Sequence, residues 1–155
     1  MLNRIAPGPR FAVNLLLSLA LILLSGSALA ELKLQGSQAW IRLAPPGTAM
    51  LAGYVELKNL GEQPLRIKGG QSGVFGMVEI HRTEEVDGVS RMREVPVLEI
   101  APGETVKLQP GGLHLMLMRP NRELAEGTTV AIDLLDENDE PLPVAFTVRR
   151  EAPAQ

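Results

Sequence analysis

The segment Met77-Val78-Glu79-Ile80-His81-Arg82-Thr83-Glu84-Glu85-Val86-Asp87-Gly88-Val89-Ser90-Arg91-Met92-Arg93-Glu94 reads as two strands folded back on one dipeptide. Asp-Gly is a preferred pair for a two-residue type I′ hairpin turn, because both central residues must take positive φ. Counting outward, that turn pairs Val86 with Val89, Thr83 with Met92 and His81 with Glu94. Directly opposed residues share a face, as do alternate residues within a strand. His81 and Met92 therefore point the same way as diagonal neighbours, roughly 7–8 Å apart along the backbones.

Outward from this hairpin the sequence keeps the same grammar. Short apolar or alternating runs predict strands at Gln38–Leu43, Met50–Asn59, Pro64–Gly69, Met77–Glu84, Val89–Val95, Thr105–Leu108, Leu113–Arg119, Thr128–Leu135 and Val144–Arg149. Between them stand turn formers such as Pro45-Pro46-Gly47, Pro102-Gly103, Pro110-Gly111-Gly112 and Asp136-Glu137-Asn138-Asp139. No segment has helical periodicity. Many short strands with regular turn punctuation predict an all-β, antiparallel sandwich or barrel.

Leu113 to Met118 carries the chemistry. Leu113, Leu115 and Leu117 fall on one face and His114, Met116 and Met118 on the other. The leucines belong to the core, which turns the imidazole and thioethers toward solvent or a shallow cleft. His81 and His114 are the only histidines of the chain, and each lies near methionines. Thioether sulfur is a soft, neutral ligand that selects Cu(I), whereas imidazole also serves zinc, nickel and iron. His81, Met92, His114 and Met116 are thus the expected ligands of a Cu(I) ion, and silver(I) should bind for the same reason. Met118 and Met77 share the parity of these ligands and are read as packing or spare sulfurs. Glu79 and Glu94 flank His81 and could accept a hydrogen bond from its ring. Because imidazolium cannot ligate, acid should weaken binding.

Composition narrows the class. Arg4 and Arg10 precede the apolar run Phe11 to Leu24, and Ala28-Leu29-Ala30 offers a small-x-small cleavage site, so residues 1–30 read as a secretory signal peptide. The run is shorter than the roughly 20 apolar residues a spanning helix needs. Residues 31–150 then form one periplasmic domain without stable membrane insertion, expected to be monomeric, followed by a frayed tail over 151–155. Without Arg4 and Arg10, 13 basic residues face 18 acidic ones, a net charge of −5. Nucleic acid is a poor partner for such a surface. Cysteine is absent, which removes disulfides, a thiol for a lipid anchor and the thiolate of blue-copper sites.

The spacing His81, ten residues, Met92, twenty-one residues, His114-x-Met116 resembles the ligand motif of the periplasmic copper chaperone family PCuAC, also called DUF461. Gly111-Gly112-Leu113-His114-Leu115-Met116-Leu117 resembles that family's Gly-Gly-x-His-x-Met-Leu segment, and Ala39-Trp40-Ile41-Arg42 and Ala49 to Asn59 match its early strands. Many members carry Met directly after the first His, where this chain has Arg82. The resemblance implies a cupredoxin-like, immunoglobulin-like Greek-key sandwich and Cu(I) binding. It also implies delivery to the copper centre of cytochrome c oxidase or a related cuproenzyme, through an oxidase subunit or another copper chaperone.

Other classes fare worse. An electron-transfer cupredoxin lacks its Cys. A copper or zinc hydrolase needs an open coordination position beside a general base; no Ser-His-Asp order or His-Glu-x-x-His motif stands in the sequence, so no enzyme is expected. A non-catalytic β-sandwich interaction module and a copper-storage or tolerance protein remain as alternatives.

Overall fold

The computed structural model describes residues 33–154; the expected leader over residues 1–30 and Gln155 lie outside them. Ten strands follow in order: β1 (Leu34–Arg42), β2 (Met50–Asn59), β3 (Leu65–Gln71), β4 (Phe75–Val86), β5 (Val89–Glu94), β6 (Leu98–Ile100), β7 (Thr105–Leu108), β8 (Leu113–Pro120), β9 (Thr129–Asp136) and β10 (Pro141–Arg149). No helix occurs among the described residues.

Asp87 and Gly88 join β4 to β5 with φ of 54° and 75°, the double positive φ of a type I′ turn. The register is the expected one, with Val86 opposite Val89, Thr83 opposite Met92 and His81 opposite Glu94. The three-residue strand β6 was not expected. Pro96 and Pro102 bracket it too closely to leave a readable alternation.

The hydrogen-bonded order β5-β4-β8-β2-β1-β10-β9-β3-β6 returns on itself, because β3 also pairs with β4 at Gly70 opposite Val78, while β7 pairs with β2. Closure demands close backbone approach. A Cβ on Gly69 would lie 2.8 Å from the Val78 carbonyl oxygen and one on Gly70 would lie 2.8 Å from that of Asp133. Two consecutive glycines let β3 lie against β4 and β9 together.

The expectation of a purely antiparallel sheet is corrected here. β1 and β10 pair in parallel, with Trp40 opposite Thr147 and Ile41 opposite Val148. A parallel pair needs a long crossover. The rest of the chain supplies it, so no local turn announces the pairing. Pro141 and Pro143 sit where β10 pairs only with β9, leaving the other edge free of the ladder that proline would break.

The barrel interior is mainly aliphatic. Ile41, Leu57, Ile67, Leu115, Leu117, Ile132 and Phe146 are fully buried, each side chain contributing about 1.5–3 kcal/mol by leaving water. Val78 and Ile80 of β4 and Leu115 and Leu117 of β8 point into this core. Their strand alternates are therefore turned to the outer face.

Candidate metal centre

Strands β4 and β8 run antiparallel with His81 directly opposite His114, Glu79 opposite Met116 and Met77 opposite Met118. The β4–β8 pairing, which no turn in the sequence encodes, brings the two histidines together. Their ring centroids lie 6.1 Å apart with the planes tilted by 48°. An ion about 2.0 Å from each imidazole nitrogen sits roughly 3 Å from each ring centre, so two rings can share it up to a separation of about 6 Å. The observed gap falls at that limit.

Both rings have one nitrogen engaged. His114 Nδ1 lies 3.1 Å from the Gly112 carbonyl oxygen, which also accepts the Thr83 amide. With Nδ1–H donating there, Nε2 keeps its lone pair. His81 Nε2 lies 2.9 Å from Glu79 Oε2, so Nε2–H donates to the carboxylate and Nδ1 is the basic atom. That Nδ1 is buried and has no hydrogen-bond partner. A buried acceptor without a partner costs about 1–3 kcal/mol. Ligation of a cation would satisfy it, and the Glu79 carboxylate would orient the ring.

Met116 stands two residues along β8 from His114 on the same face, opposite Glu79. Met92 lies on β5 opposite Thr83, diagonal to His81, and is 51% exposed. The site is thus graded. His114 is 5% exposed, deeper than the solvent-facing position expected of it, since β8 runs between β4 and β2 and cannot present its outer side chains at an edge. β5 is the sheet edge and all six of its residues are exposed.

Among the described residues no group of three or more His, Cys, Asp and Glu side chains is placed to hold a metal ion. A metal at the paired histidines would need methionine sulfur to complete its shell. Met50 was not singled out in the sequence, yet it opposes Met118 from the β2 side. Its strand was legible but its neighbour was not.

The family described as "Putative lipoprotein LpqE-like" matches residues 34–148, the whole barrel from β1 to within β10. The chain belongs to the LpqE-like family, a PCuAC (DUF461) family. Within it, this LpqE-like chain is 31% identical over 116 residues to "Putative lipoprotein Lxx21020" of Leifsonia xyli subsp. xyli, a match spanning 74% of this chain and 69% of the relative. Among solved structures, the solution structure of CuI-DR1885 from Deinococcus radiodurans is 30% identical with a TM-score of 0.60, covering 85% of this chain and 87% of that one. The copper-bound PCuAC domain from PmoF2 is 22% identical with a TM-score of 0.62, covering 78% and 94%. That last likeness is one of fold.

Proposed function

We propose that this LpqE-like protein is an exported, periplasmic Cu(I) chaperone. It holds one ion through His81, Met92, His114 and Met116 and delivers it to the copper centre of cytochrome c oxidase or a related cuproenzyme. The observation that carries the reading is the buried, unpartnered Nδ1 of His81 beside the His114 ring. A similar protein, DR1885, 30% identical to this chain, has a Cu(I)-bound structure, which supports copper as the ion. The lipoprotein names of the relatives support export, as does the leader read over residues 1–30. This chain has no cysteine to acylate, so the mature form is read as unanchored. A cupredoxin-like connectivity and a monomeric, non-catalytic barrel go with the proposal.

The grading of the site suggests how the ion would leave. Four neutral ligands leave the single charge of Cu(I) intact, and Glu79 supplies a compensating carboxylate through His81. Met92, exposed on the edge strand, is the ligand an incoming donor can replace first. Met116 and His81 follow, and the buried His114 holds last. Because no thiolate has to be separated from the cation, each exchange is inexpensive, and an acceptor bearing Cys draws the ion downhill.

Competitive titration of Cu(I) into the native chain and a Met92→Ala, Met116→Ala double variant tests the ligand set, with weaker binding expected for the variant. Equal affinity would overturn it. Transfer of bound Cu(I) to an isolated oxidase copper domain tests the role, and retention of the ion by the chaperone in the presence of that domain would count against delivery.

A further inference from the structure

The five methionines of the described residues share one face. Met116 and Met118 alternate with core leucines on β8, Met77 opposes Met118 from β4, and Met50 opposes Met118 from β2. Met92 pairs with Thr83, which has the parity of His81. None of the five belongs to the buried core cluster, which is built from Leu, Ile, Val and Phe. Methionine is ordinarily a flexible core filler. Here its use is inverted, and the sulfurs are placed where their apolar volume is of least value.

Three of these residues form a straight row across adjacent strands, Met50 on β2, Met118 on β8 and Met77 on β4. Met50 is 53% exposed and Met77 is 40% exposed. Neighbouring strands lie about 4.8 Å apart. Sulfurs sharing one trigonal ion stand roughly 4 Å apart at metal–sulfur bonds of about 2.3 Å. Each side chain has three rotatable bonds, so the outer two can lean inward onto an ion over Met118. The row is offset from Met116 by two residues along β8, with Ala52 and Glu79 flanking Met116 in the row between.

We propose that Met50, Met77 and Met118 form a second, all-thioether site for a soft monovalent cation, Cu(I) or Ag(I), beside the His81–His114 centre. Three neutral sulfurs with no nitrogen or carboxylate favour a soft monovalent cation over zinc and other borderline divalent ions. The small Ala52 between Met50 and the His81–His114 level leaves the outer face low there, and Met116 stands between the two sites. A cation on the row can therefore pass to the mixed nitrogen–sulfur centre by exchange at Met116, without release into solvent. The methionine row stands without the four-ligand reading and goes beyond it, while passage to the His81–His114 centre rests on that reading.

The test follows methionine ε-methyl groups labelled with carbon-13 by NMR while Ag(I) is titrated into the chain. Met50, Met77 and Met118 resonances are expected to move together with one equivalent of silver, in addition to the equivalent that moves Met92 and Met116. A Met50→Leu, Met77→Leu, Met118→Leu variant keeps apolar volume at all three positions and is expected to lose that equivalent while keeping the other. Resonances of Met50 and Met77 that stay in place through two equivalents would overturn the second site, as would a triple variant that still takes up two. A row that fills while Met92 and Met116 stay unmoved would support this site and contradict the four-ligand reading instead.

Discussion

His81 and His114 face each other across the β4–β8 ladder with ring centroids 6.1 Å apart, and each has its tautomer set by a different partner. Glu79 accepts a hydrogen bond from His81 Nε2–H and the Gly112 carbonyl accepts one from His114 Nδ1–H. One ring therefore offers Nδ1 and the other Nε2.

Glu79→Ala removes the carboxylate that orients His81 without touching a ligand. Loss of such a partner typically costs about 10–100-fold in metal affinity. Competitive Cu(I) titration should show a decrease in that range with the thermal midpoint little changed; unaltered affinity would detach Glu79 from the site.

Gly88→Val forces a β-branched residue into the φ of 75° that the hairpin turn uses, at a cost of about 1–2 kcal/mol. Because every residue of β5 is exposed, the barrel should still unfold cooperatively. The register of Met92 would be lost, and Cu(I) affinity should fall to that of Met92→Ala. A variant that binds like the native chain would show that β5 contributes no ligand.

Tyr54 gives a pH dependence that owes nothing to metal. It packs against Trp40 with ring centroids 4.8 Å apart and planes tilted by 38°, and burial raises its phenol above the ordinary 10.0 while Arg42 opposes the shift. In the window just above pH 10 the folded state holds a proton that the unfolded chain has released. Stability is therefore complete below that pH and declines as pH rises toward the folded-state value. Denaturant melts between pH 8 and pH 11 should show the decline, and Tyr54→Phe should flatten it.

Ile132 is fully buried on β9, a strand that pairs with neither β4 nor β8. Ile132→Ala should cost about 2–5 kcal/mol of unfolding free energy. Chemical denaturation measures it, and a loss well under 1 kcal/mol would contradict the packed interior described for the barrel.

How much of this the chain announces depends on how local the signal is. Asp87-Gly88 fixes its own hairpin, so the Thr83–Met92 and His81–Glu94 pairs were legible, as was the Leu/His/Met alternation of β8. The pairing of β4 with β8 and of β1 with β10 joins segments far apart in sequence, and no turn residue encodes it. That is why the face-to-face histidines, the burial of His114 and the neighbour of Met50 came only from the structure. The start of β1 was hidden for another reason. Gln38 takes φ of 52° at an irregularity between Ser37 and Trp40 that shifts the β1–β2 register and breaks the period of two.

The most direct measurement is copper X-ray absorption on the chain loaded with one equivalent of Cu(I). The account predicts a single mixed shell containing both imidazole nitrogens and both thioether sulfurs, with the sulfur contribution reduced in the Met92→Ala, Met116→Ala variant. A shell of nitrogen and oxygen alone, or of sulfur alone, would contradict it.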